Sequence, residues 1–221
     1  MTFLLQVQGL TGLTISSSGT TPTQDELSQF LKDGVVEIVQ RIIKLKPEEA
    51  FKFSATTNST SSVAKVGQVL SVVREHDSQT ILRPCSPISP QDRYEAANSN
   101  SLKYRTKYNP GYYELNGNIF CVPSAGSGDN DIVVTQVTYD TGLAHGDSES
   151  AIDNFPAEYG YLVALYAAIK SLEANMVEYT ITEEDYELAT SIKLNIDELQ
   201  TQYNSAFGSV APPPQAQPQG R

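Results

Sequence analysis

Histidine and cysteine are scarce in this chain of 221 residues, with two of each, and their scarcity removes whole classes of chemistry. Cys85 and Cys121 stand alone, too few for a disulfide framework, and read as structural free thiols. His76 and His145 fall in expected loops beside Asp77 and Asp147. No histidine or cysteine pair has ligand spacing, so no zinc site is expected and both imidazoles read as solvated. A G-x-S-x-G nucleophile elbow and a phosphate-cradling G-K-S/T are also missing. The apolar run 159–169 is 11 residues long, well short of the ~20 that cross a bilayer. The opening 1–6 has no Lys or Arg and its apolar run stops at once. No secretory signal is expected there, and the chain is expected to stay in the cytoplasm in which it is made.

What is present is acid. The net charge is −11 and the pI about 4.6, so the surface as a whole would repel duplex DNA. The charge is unevenly spread. Residues 51–110 hold eight Lys/Arg against four Asp/Glu, whereas 111–181 hold one against ten. Such asymmetry suits head-to-tail packing, the basic part of one copy meeting the acidic part of the next.

Motifs of the kind that carry a reaction are incomplete. Asp140-Thr141-Gly142 matches the aspartic protease tripeptide, but Leu143 follows it and no second copy exists, so it reads as a turn leaving a strand. Asp129 and Asp131 beside Gly126 and Gly128 lack the twelfth-position Glu of a calcium loop and read as a polar turn. An enzymatic reading would need a pocket gathering His145, Asp140 and Asp147. Lys103-Tyr104-Arg105-Thr106-Lys107-Tyr108 alternates base and aromatic, as a single-strand-binding surface does. The favoured reading is an amphipathic strand with solvated lysines and packed tyrosines. The expectation is a protein with no catalytic residue, metal or cofactor.

Element signals are clearer. Residues 2–22 are Ser/Thr/Gly-rich after a short apolar opening and suggest an extended arm or a strand and loop. Thr23 with Glu26 forms a capping box, and Leu27, Leu31, Ile38 and Ile42 continue a helical stripe, so a helix is expected over Gln24–Leu45 with Gly34 a weak point. Valine-rich 63–74 reads as strand with 79–83 as its partner, and Ser89-Pro90 starts a short helix through Ala97. Asn116-Gly117 between strand-forming runs marks a hairpin. Residues 132–139 would add a third strand and complete a meander. Asn154 as cap and Pro156 in the first turn open a helix over 156–177. Its apolar face is Tyr159, Leu162, Val163, Tyr166, Ile169 and Leu172, with Ala164, Ala167 and Ala168 allowing close approach. Thr182 and Asp185 open a last helix over 183–205, whose narrow seam is Leu188, Ile192, Ile196, Leu199 and Tyr203. The fold class is therefore α+β: an arm at 1–22, one domain at 23–208 with a β-rich insertion over 50–140, and a Pro/Gln-rich tail at 209–221. Sister copies, as well as the chain's own sheet, are expected to cover the apolar faces of the two long helices.

The hairpin 112–123, the strand 132–139, and Ile152-Asp153-Asn154-Phe155-Pro156 running into Leu162-Val163-Ala164-Leu165-Tyr166-Ala167-Ala168-Ile169 form a pattern that resembles head–tail connector (adaptor or neck) proteins of tailed bacteriophages. It departs from a minimal connector in the length of 50–107 and of the tail. The resemblance implies a virion protein that forms a ring of twelve copies between the portal and the next tail or neck component, with DNA passing through an acidic lumen that repels it. It implies portal contacts from the C-terminal region, at Leu188, Ile192, Leu199, Tyr203, Phe207 and Pro212, and helix packing between subunits at Leu162, Tyr166 and Ile169. Alternatives are another phage capsid or tail protein, or a non-viral soluble binding module.

Overall fold

The computed structural model describes residues 1–76, 81–126, 130–139, 142–181 and 184–210. In chain order these form α1 (Phe3–Thr11), α2 (Gln24–Leu45), β1 (Ser54–Ser59), β2 (Val63–Ala64), β3 (Val69–Glu75), β4 (Leu82–Pro84), β5 (Ser86–Pro87), α3 (Arg93–Ala97), β6 (Gly111–Leu115), β7 (Asn118–Val122), β8 (Ile132–Val137), α4 (Gly160–Ile181) and α5 (Tyr186–Val210). The class is α+β. The chain separates into two compact units where the sequence suggested one domain: Met1–Glu49 together with the described part of 139–221, and Ala50–Thr138.

In the helical unit, the expected capping box closes α2. Glu26 N–H donates to Thr23 Oγ1 at 3.3 Å, and Thr23 N–H donates back to Glu26 Oε2 at 2.7 Å. Two orphan amides are thereby satisfied at the helix start. Gly34 is buried and is no weak point: a Cβ built there would lie 3.0 Å from Tyr166 Cδ1. It is where α2 and α4 need the missing side chain.

Residues 3–11 are helical, which overturns the extended arm. Thr2 Oγ1 accepts from Leu5 N–H and Gly12, at φ 71°, ends the helix in the left-handed conformation. Phe3 and Val7 are fully buried, and the first amides donate to Asp147 O and His145 O.

The start of α4 also differs from the expectation. Asn154 takes a φ of 52° and so does not cap. Pro156 is extended and precedes a 3₁₀ turn, Ala157–Tyr159, before α4 begins at Gly160. Helix α4 is buried around most of its circumference, through Leu162, Val163, Leu165, Ala168 and Leu172 among others. It packs against α1, α2 and α5. An all-round apolar helix belongs at a bundle's centre, and its cover comes from helices of its own chain.

Asp185 Oδ1 accepts from Leu188 N–H at 3.0 Å and caps α5; the other expected start residue, Thr182, lies outside the described residues. Helix α5 runs five residues past its expected end at 205. Residues 209–210 are therefore helix and not tail, and the rest of the expected tail lies outside the described residues.

The β unit holds two four-stranded sheets, ordered β1-β8-β3-β4 and β2-β7-β6-β5. Asn116 and Gly117 both have positive φ, 51° and 72°, as a type I′ hairpin requires, and β6 pairs with β7 from Gly111↔Val122 to Leu115↔Asn118. The expected third strand of that meander goes elsewhere: β8 inserts between β1 and β3 in the other sheet. The single strand expected over 63–74 is two strands in different sheets, β2 and β3; β3 pairs with β4, and 77–80 between them lie outside the described residues. The core comprises Val63, Val72, Ile119, Cys121, Ile132 and Val134.

Candidate interaction surfaces

The residues expected to bind partners are mostly occupied inside their own unit. Leu162 and Ile169 are buried, and Tyr166, part-buried, lies 6.3 Å from the Tyr203 ring. On α5, Ile192, Leu199, Tyr203 and Phe207 are buried too. Arg41 of α2 sits 4.2 Å above the Phe207 ring and 5.5 Å above that of Tyr203, and donates to Asn204 Oδ1 at 3.1 Å. The seam on α5 is thus the contact that docks this helix onto α2 and α4, and these side chains have no surface left for a partner. Of the expected portal contacts, Leu188 alone is exposed, and Pro212 lies outside the described residues.

Ser28 Oγ donates to Gln24 O at 2.8 Å and accepts from His145 N–H at 3.0 Å. His145 Nδ1 is 3.1 Å from the same oxygen. With the hydroxyl proton committed to Gln24 O, Nδ1 can bond only as a donor, so this pair is a staple and not a nucleophile with its base. Asp147 Oδ2 accepts from Ala144 N–H at 2.8 Å, closing the same loop, and Asp140 lies outside the described residues. His76 is buried against Tyr108, ring centroids 4.7 Å apart, which corrects its reading as a solvated imidazole. Cys85 and Cys121 are free, and burial pushes the Cys85 thiol up to about 12. Among the described residues no cluster of three metal-ligating side chains forms, and no helix is long and apolar enough to cross a membrane.

Much of the apolar surface open to solvent lies near helix ends and in loops. In the helical unit, Tyr161 near the start of α4 joins Met1 and Leu5 around a cavity of about 350 Å³. At the other end of α4, Val177 and Ile181 are exposed, with Tyr186 and Leu188 following on α5. Six acidic residues and no basic one fall within 171–192. In the β unit, Tyr94, Leu102, Tyr104 and Tyr108 are all exposed, Leu102 completely so.

The segment 101–109 is a series of turns and isolated bridges, not the amphipathic strand expected, and its tyrosines are not packed away. It borders a cleft of about 470 Å³ lined by Ile88, Ala96, Leu102, Tyr104 and Arg105 among others. Asp92 and Lys103 also line it, and Lys103 is paired with Asp92 and Glu95 at 2.8 and 3.1 Å. The alternation of base and aromatic pointed at this surface; only the three-dimensional arrangement reveals that it faces outward.

No family model and no curated protein matches this chain.

Proposed function

We propose that the chain is a virion structural protein of a tailed phage, a ring-forming adaptor that joins portal to tail and surrounds the passage for DNA. The observation that carries this reading is the division of charge between two differently built units. The helical unit has seven Lys/Arg against nineteen Asp/Glu, and the β unit has eight against seven. Two unlike surfaces on one molecule favour heterologous, head-to-tail contacts, and such contacts close into rings when the rotation permits. A helical body interrupted by a β insertion also fits the connector-type reading. An acidic body around a channel would let DNA slide without adhering. Ring contacts fall to the exposed helix ends and the loops of the β unit, because the middle of the long helices is covered by their own chain.

The test is incubation of the purified full chain with portal-bearing capsids that lack tails. Rings at a single vertex, visible by electron microscopy, are expected. A chain that stays a 24.1 kDa monomer and leaves the vertex bare is instead a solitary binding module. Deleting 211–221 should abolish attachment if the C-terminal region contacts the portal. The cut belongs after Val210, because Phe207 is only 2% exposed and an earlier cut would disturb the bundle itself.

A further inference from the structure

The exposed apolar groove of the helical unit lies beside the point where α5 ends. Met1, Leu5 and Tyr161 are 82%, 56% and 48% exposed, and with Gln6, Leu10 and Glu149 they border the cavity of about 350 Å³. Helices α4 and α5 are joined by a short connection and pack together, so they run antiparallel. The Tyr166–Tyr203 ring contact, 6.3 Å between centroids, sets their register. Tyr161 lies five residues before Tyr166 and Val210 seven after Tyr203, about 7.5 and 10 Å along the axis at ~1.5 Å per residue. Val210 therefore ends within about 3 Å of the level of Tyr161, one interaxial spacing of roughly 8–10 Å away. Helix α1 bridges the gap: its Leu10 borders the groove and also a second cavity shared with Leu199 and Gln202 of α5.

The next residues in the chain, 211–221, suit this groove in composition. They include Pro212, Pro213, Pro214 and Pro218 and a single charged residue, Arg221. Proline rings pack on aromatic side chains and lose little conformational freedom in doing so. Glu149 is the one charged residue bordering the groove. Among the described residues its carboxylate accepts only from Gln6 Nε2, at 3.1 Å, and a cation would complete it.

We infer that residues 211–221 of the same chain occupy this groove, with prolines against Tyr161, Leu5 and Met1 and with Arg221 against Glu149. At ~3.1 Å per residue the segment reaches about 34 Å, enough to cross from Val210 and bring Arg221 to any part of the groove. A partner that recruits the segment uncovers an apolar patch in the same step, so 211–221 act as a removable cover. The docking does not depend on what the molecule assembles with.

The chain has no tryptophan, so Tyr161→Trp places a single fluorescent reporter in the groove. In the dilute full-length variant its emission should be blue-shifted and weakly quenched by acrylamide. Truncation after Val210 should shift the emission to the red and expose it to the quencher, and added 211–221 peptide should reverse both changes. Leu194→Trp, at a position 67% exposed on α5, should be indifferent to the truncation. Arg221→Glu should lower the ratio of covered to open groove by about threefold, and Glu149→Arg added to it should restore the ratio. Circular dichroism shows that each variant is folded. Identical emission from Tyr161→Trp before and after truncation overturns the docking, as does failure of the exchanged charges to restore the ratio. A blue shift that appears only on concentrating the protein gives the groove to a second copy and overturns it too.

Discussion

The helical unit threads its most apolar helix, α4, between three others, so the interior of the bundle is filled along α4. The β unit divides its apolar residues between two sheets whose strands are two to seven residues long. Short strands bury little, and the connections between them hold Tyr94, Leu102, Tyr104 and Tyr108 in solvent. In the bundle, exposed apolar residues cluster at helix ends instead. A filled interior leaves exposed apolar surface in the loops of one unit and chiefly near helix ends in the other.

The largest test of the comparison is Phe207→Ala, which removes a fully enclosed ring between α2 and α5 and should cost about 3–5 kcal/mol of helical-unit stability. Urea denaturation followed by circular dichroism measures it. Thiol labelling of Cys85 and Cys121 tracks the β unit in the same samples. An unchanged labelling rate sharpens the distinction between the units, and a rate that rises with the loss of helix breaks it. Gly34→Ala places a methyl 3.0 Å from Tyr166 Cδ1, and such overpacking costs about 1–3 kcal/mol; a lowered urea midpoint with unchanged slope is the expected result. Thr23→Ala removes half of the capping box and should cost about 1 kcal/mol, seen as faster amide exchange in the first turn of α2.

The last test is alkaline titration. Burial raises Tyr203 above its ordinary value of 10.0, and nearby Glu37 adds to the shift. Because the neutral ring is the one the fold accepts, its contribution is complete below pH 10 and is lost as pH rises beyond it. In the β unit, Cys85 starts from 9.0 and is pushed up to about 12, so its contribution is complete below pH 9 and fades up to about 12. The β unit should therefore soften first. Tyr203→Phe should change stability at neutral pH by less than about 1 kcal/mol while flattening the loss above pH 10. Identical alkaline profiles for wild type and variant would discard that assignment.

Local signals were legible wherever chemistry and periodicity agreed. The capping box and the stripe on α2 located that helix at both ends, and Asn116-Gly117 located the hairpin. Helix α1 was hidden because the Ser/Thr/Gly content of the whole 2–22 stretch outweighed two small cues, the Thr2 cap and the Gly12 terminator. Asn154 misled because asparagine serves equally as a cap and as a residue of positive φ. The placement of β8 in the second sheet is a nonlocal choice that nothing within 132–139 encodes.

The narrow seam on α5 was read correctly as apolar, but periodicity does not say whether the facing surface belongs to the same chain. The exposed tyrosines were hardest, since a loop tyrosine shows its environment only once the chain has folded around it. The acidic character of the helical body was visible from composition alone. Its confinement to one unit required knowing which distant segments fold together.

Strands β1 and β8 run side by side from Ser54↔Val137, and Thr138 N–H donates to Phe53 O at 3.0 Å. The chain therefore enters and leaves the β unit about one strand spacing apart, roughly 5 Å. Any other module whose termini lie as close could be exchanged at this doorway without lengthening the bundle's own connections. Such a design allows recombination to exchange the β unit while the helical frame is inherited intact.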